Sequence, residues 1–144
     1  NNFSRGLKTD RNLEIGREGE RKTILIERKR TEKEPIWEAL ESNNSGFDVR
    51  SIEEKNSKKD LLIEVKASEK DLDYADIFIT KNEWDKAHSS KVKFLFHVWV
   101  SLGKKNETLY LFSTKEIIRH IPQDTGKGNW QAVKIPVKEL VDDE

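Results

Sequence analysis

The stretch KFLFHVWV, Lys93 to Val100, carries apolar residues at both odd and even positions. Side chains of a strand alternate between two faces, so a strand apolar on both must be covered on both. The chain must therefore build a layered α/β structure with KFLFHVWV near the middle of a sheet. At 144 residues one domain is expected, and a chain of that size buries roughly 68–70% of its unfolded surface.

The other elements fall around that strand. Asn12 to about Glu32 places Leu13, Gly16, Glu20, Ile24 and Glu27 at helical spacing with Arg and Lys between them. Pro35 ends the pattern, PIWEAL supplies a short extended segment, and SNNSG is a turn. GFDVRSIE from Gly46 and LLIEVKAS from Leu61 read as strands, and Ile77 to Ile79 as a further extended segment. Thr80 to Glu83 has capping-box spacing, which predicts a helix from about Lys81 to His88 with Trp84 and Ala87 toward the core. LYLFS is a strand, STKEIIRHI a short helix, and WQAVKIPV an edge element containing Pro136.

LLIEVKAS spends Glu64 and Lys66 within an aliphatic strand, and parity accounts for them. The odd positions Phe47, Val49, Leu61, Ile63, Val65 and Ala67 are apolar, whereas Asp48, Arg50, Glu64 and Lys66 are even. Only an even hairpin register keeps the apolar set together, and it sets Asp48 and Arg50 across from Glu64 and Lys66. A solvated face with cross-strand ion pairs is one reading, each pair contributing about 1 kcal/mol or less. Three observations favour a site instead. Leu62 and Ile52 make the even face partly apolar, Asp48 sets a second carboxylate near Glu64, and Glu20 points a third toward the sheet. Adjacent carboxylates repel unless a cation lies between them. The helix also carries Gly16 and Gly19, which suit a close approach of backbones. Carboxylate oxygens suit a hard ion such as magnesium, and water polarised by such an ion beside an ammonium suits attack on a phosphodiester.

GREGE at 16 to 20, GFDVRS at 46 to 51, IEVKAS at 63 to 68 and ITKNEWDKA at 79 to 87 together resemble the NO VEIN C-terminal type of domain, related to the Mrr-like branch of the PD-(D/E)XK, or restriction-endonuclease-like, nucleases. The similarity spans roughly residues 12 to 100. The proline of the "PD" is absent, with Gly46 and Phe47 preceding Asp48. The resemblance implies a restriction-endonuclease-like αβββαβ core, a mixed central sheet flanked by helices, to which the C-terminal β segment is an extension. It implies metal-dependent DNA hydrolysis with Mg2+, or Mn2+ as a substitute. Asp48 and Glu64 would hold the ion with the Val65 carbonyl, Lys66 would orient the attacking water, and Glu20 would support the ion or its waters. It also implies DNA as partner, a place within a larger restriction or other DNA-processing protein, and a possible homodimer.

Charge and composition bound these expectations. Charged residues reach 38%, balanced at 27 basic and 27 acidic, which argues against a strong nonspecific polyanion binder. Residues 1 to 30 nevertheless carry nine Lys or Arg against five Asp or Glu. Arg21 and Lys22, with Arg28, Lys29 and Arg30, form either a solvated helix face or a phosphate-contacting edge, and Lys127 with Trp130 could touch nucleic acid. With no cysteine, thiolate metal sites and cysteine nucleophiles are excluded. No run suits a membrane span or a signal peptide, so a cytoplasmic location is expected. The missing methionine suggests a piece of a longer protein. His88, His97 and His120 make no zinc spacing, and His97 reads as a core histidine. DTGKGNW lacks the phosphate-loop pattern. The competing class is a noncatalytic domain of the same fold that docks nucleic acid or a partner protein.

Overall fold

The computed structural model describes residues 2–41 and 46–143, with side chains described from residue 10 onward except at 41. The turn expected at SNNSG lies mostly outside the described residues. Helix α1 spans Asn2–Thr31, ten residues longer at its start than the periodic stripe. Strand β1, Ile36–Trp37, and the single turn α2, Glu38–Glu41, divide PIWEAL between them. Strands β2 (Val49–Ile52), β3 (Asp60–Ala67) and β4 (Asp76–Thr80) lead to helix α3 (Lys81–His88) and strand β5 (Lys93–Val100). Strand β6 (Thr108–Ser113), helix α4 (Thr114–Ile117), a 3-10 turn at Ile118–His120, strand β7 (Ala132–Pro136) and helix α5 (Val137–Asp142) complete the chain.

The main sheet is mixed, in the order β1-β2-β3-β5-β6. Among the described residues its one parallel pair is β3 with β5, Glu64 opposite Phe96 and Lys66 opposite Val98. KFLFHVWV is therefore internal and covered on both faces, as its double apolar parity requires. One core layer joins Ile24 of α1 to Val49, Leu61, Ile63, Val65 and Trp99. The other packs Leu62, Phe94, Phe96 and Val98 against Ile77, Ile79, Trp84, Ile117 and Ile135. Fully burying one such side chain stabilises the fold by about 1.5–3 kcal/mol.

Strand β4 leaves the main sheet. It pairs antiparallel with β7 in a separate two-stranded sheet, Phe78 opposite Lys134 and Asp76 opposite Pro136. The periodicity of Ile77 to Ile79 fixes a strand but not its partner, because any edge satisfies the same alternation. Helix α3 has the expected bounds and cap, with Trp84 and Ala87 buried.

Gly19 explains how closely α1 lies on the sheet. A Cβ there would come 2.8 Å from the Ala67 Cβ and 3.3 Å from Val65 Cγ1. Gly16 is different, since a Cβ there would meet nothing within 4 Å. His97 is a satisfied core histidine. Trp99 Nε1 donates to Thr23 Oγ1 at 2.9 Å, and that hydroxyl lies 3.2 Å from His97 Nδ1. Burial lowers the His97 pKa to about 4.

Candidate active site

The site begins where the hairpin register breaks. Strands β2 and β3 pair Val49 with Ile63 and Arg50 with Leu62, the expected even register. Ahead of Val49 the ladder becomes irregular. The Asp48 N–H donates to the Ile63 carbonyl at 2.9 Å, whereas the Asp48 carbonyl accepts from Ala39 N–H at 3.1 Å. In a regular strand both backbone groups of a residue face the same neighbour, so Asp48 sits in a bulge-like kink. That kink has two consequences. Phe47 turns out of the odd-parity layer and packs with Leu62 and Trp84 in the opposite core. The Asp48 carboxylate swings to the end of the ladder, where its Oδ2 accepts the Val65 N–H at 2.8 Å.

Arg50 departs from its expected place across from Glu64 and Lys66. Opposite Leu62, its guanidinium pairs with Glu38 at 3.3 Å and Asp60 at 2.8 Å, away from the acidic cluster. The parity was legible, but the partner along the strand depends on where the ladder starts, and the kink shifts that point.

Glu64 is buried on the even face, and Lys66 lies beside it with Nζ 3.3 Å from Glu64 Oε2. Glu83 completes the cluster, its Oε1 accepting Lys66 Nζ at 2.9 Å and the Thr80 N–H at 2.9 Å. The capping-box spacing revealed only the second of these bonds. The first joins residues that are sequentially remote, and no local pattern carries it.

Charge accounts for the titration of the cluster. Burial, with the negative charge of Glu20, raises the Asp48 pKa to about 6, against the opposing pull of the Val65 amide. Burial and then the charge of Asp48 raise Glu64 well above the ordinary carboxylate range. Burial alone would lower Lys66, but Glu64 and Glu83 overrule it and hold the ammonium charged. Glu83 is likewise pushed up by burial yet ends below its ordinary value, because Lys66 and the Thr80 amide favour the carboxylate.

Asp48, Glu64 and Glu83 open into a cleft of about 430 Å³ whose lining also includes Gly16, Arg17 and Glu20. Glu20 is brought to the site as expected, but its Oε1 also accepts Trp37 Nε1 at 2.7 Å and Arg17 Nη1 at 2.9 Å. Among the described residues, no group of three or more His, Asp or Glu side chains is arranged to hold a metal ion. Two carboxylates and a carbonyl remain a donor set suited to a hard cation. The charge of Asp48 raises the Glu64 pKa, and those of Glu20 and Glu83 raise that of Asp48, an excess of negative charge that a cation at the site would relieve. The Val65 carbonyl shares the side of its N–H, the side that carries Asp48.

The expected nucleic-acid contacts lie apart from this cleft. Arg21 is exposed, pairs with Glu18 and lies 5.9 Å from the Trp37 ring centre. Lys22 is half-buried against Glu107 at 3.0 Å. Lys127 is exposed in the turn before β7 and does not line the cleft.

The family model described as Protein NO VEIN, C-terminal, matches residues 19–112. The chain belongs to the NO VEIN C-terminal family. The match takes in Glu20, Asp48, Glu64, Lys66 and Glu83, and it ends before β7. Comparison of the chain with curated proteins and with solved structures finds no match. Within this NO VEIN C-terminal domain, the kink at Asp48 and the capped start of α3 are the two local devices that gather the cluster.

Proposed function

We propose that this domain is a magnesium-dependent DNA nuclease module of the PD-(D/E)XK kind, acting within a larger DNA-processing protein. The observation that carries the reading is the kink that aims Asp48 at the Val65 amide, beside a buried Glu64 and a charged Lys66. Asp48, Glu64 and the Val65 carbonyl would hold magnesium, which when bound supplies charge neutralisation at the phosphate and a water of lowered pKa. Lys66, kept protonated between Glu64 and Glu83, would orient that water and stabilise charge on the phosphate oxygens. Glu83 would fix the Lys66 ammonium, and Glu20, tied to Trp37 and Arg17, would hold the wall of the cleft and its waters.

Cleavage of duplex DNA in the presence of magnesium tests this, with Asp48→Ala and Lys66→Ala as controls. Cleavage that survives unchanged in both variants would sink the assignment.

One observation favours a second reading. Lys66 is already engaged by two carboxylates at 3.3 and 2.9 Å, which suits a noncatalytic domain of the same fold that docks nucleic acid or a partner protein. Magnesium titration separates the two, since a docking domain would show no binding at Asp48 and Glu64.

A further inference from the structure

Gly16 and Gly19 share one helix but not one reason. Glycine within a helix is unfavourable relative to alanine, and at Gly19 contact with Ala67 requires it. At Gly16 no packing neighbour does, so the empty space itself needs a reason. That space is a passage. Asn12 and Gly16 line the acidic cleft and also a second groove of about 590 Å³. Lys66 lines the second groove while pairing with Glu64, which lines the first. The two openings therefore meet around Lys66, alongside α1.

They differ in charge. The acidic cleft sets Glu20, Asp48, Glu64 and Glu83 against Arg17. The second groove sets Lys66, Lys70 and Lys134 against Glu69 and Asp76; with Lys66 held by Glu64 and Glu83 and Glu69 by Arg11, Lys70 and Lys134 face Asp76. Its far wall is the outer face of the β4–β7 sheet, where Phe78 is 59% exposed and directly opposite Lys134. Ile77 and Ile79 on either side of Phe78 are buried, so the ring stands on a fixed strand. An aromatic face beside an ammonium is the pairing that receives a nucleobase and its phosphate.

We infer that this groove holds an unpaired DNA strand running out of the acidic cleft. A base stacks on Phe78, a neighbouring phosphate meets Lys134, and the strand passes α1 over Gly16. The identity of the polymer rests on the nuclease reading, whereas the groove's chemistry does not.

Fluorescence anisotropy with a fluorescein-labelled single-stranded oligodeoxynucleotide in EDTA tests the groove without hydrolysis. The wild-type protein should bind this probe more tightly than a blunt duplex of the same sequence. Phe78→Ala should weaken binding about 5- to 150-fold, the range that stacking one base supplies. Lys134→Ala should weaken it and reduce the salt dependence by about one phosphate contact. Gly16→Leu fills the passage with a good helix former, so it should weaken binding while thermal unfolding stays at or above wild type. Variants at Phe78 and Lys134 that bind as wild type overturn the inference, as does a duplex bound as tightly as the single strand. Binding without magnesium-dependent cleavage refutes the nuclease reading and leaves the groove standing. Cleavage with unaltered binding by the variants does the reverse.

Discussion

Lys66 Nζ and the Thr80 N–H converge on one oxygen, Oε1 of Glu83, each at 2.9 Å. One carboxylate thus starts helix α3 and holds the ammonium of the candidate site.

These two duties can be separated. Glutamine at the third helical position can still close a capping box, so Glu83→Gln should keep the cap and lose the ion pair. Glu83→Ala should lose both and be about 1 kcal/mol less stable than Glu83→Gln, the usual worth of a cap. Urea unfolding of the two variants measures the difference, and equal stabilities would mean that the cap contributes nothing.

The acidic cluster should make the protein less stable as pH rises. Asp48 has a folded pKa of about 6, above its ordinary 3.8, so its contribution is fully present below about pH 4 and is lost as pH rises through about 6. Glu64 shifts in the same direction. A two-unit shift corresponds to about 3 kcal/mol. Asp48→Asn should therefore raise the unfolding temperature at pH 8 and have little effect near pH 4. A variant no more stable than wild type at pH 8 would contradict the cost of a buried Asp48 carboxylate.

His97 works in the opposite direction. Its folded pKa of about 4 lies below the ordinary 6.5, so its contribution is present above about pH 6.5 and is lost as pH falls toward 4. His97→Gln should flatten the acid limb of the stability curve, by about 3 kcal/mol at most. Thermal melts between pH 3 and 7 read this directly, and an unchanged acid limb would reject it.

Magnesium should restore what the carboxylates lose. An ion held by Asp48 and Glu64 at a hundredfold excess over its Kd adds about 2.7 kcal/mol, or roughly 5–10 °C in a chain of this size. Calorimetry at pH 8 with and without magnesium should show that rise in wild type and none in Asp48→Asn. No rise in wild type would count against the metal site.

The two helix glycines should respond oppositely to alanine. Gly19→Ala meets the Ala67 Cβ at 2.8 Å and should destabilise by about 1–3 kcal/mol. Gly16→Ala meets nothing and should stabilise by about 0.5–1 kcal/mol. Denaturant midpoints of the pair decide it, and two losses would mean that the space at Gly16 is not open.

Much of this arrangement is legible in local pattern. Double apolar parity placed KFLFHVWV inside the sheet, and alternation grouped Glu64 with Lys66 on the even face. Thr80 to Glu83 marked the start of α3 because capping is a contact between near neighbours. What escaped was non-local. The turn of Phe47 into the opposite core and the new partners of Arg50 follow from the kink at Asp48, which depends on Ala39 and Ile63 together. The pairing of β4 with β7 and the bond from Lys66 to Glu83 join segments that no periodicity links. Lys22 reads as a phosphate contact by composition, and only the fold reveals Glu107 beside it.

The family match ends at residue 112, yet Ile79 lies opposite Val133 and Ile77 opposite Ile135. A protein trimmed to the matched span would leave the edge of β4 bare and lose Ile135, Val137 and Leu140 from the core that includes Ile77 and Ile79. The unit recognised by likeness is thus smaller than the unit that packs, and an expression boundary belongs beyond α5.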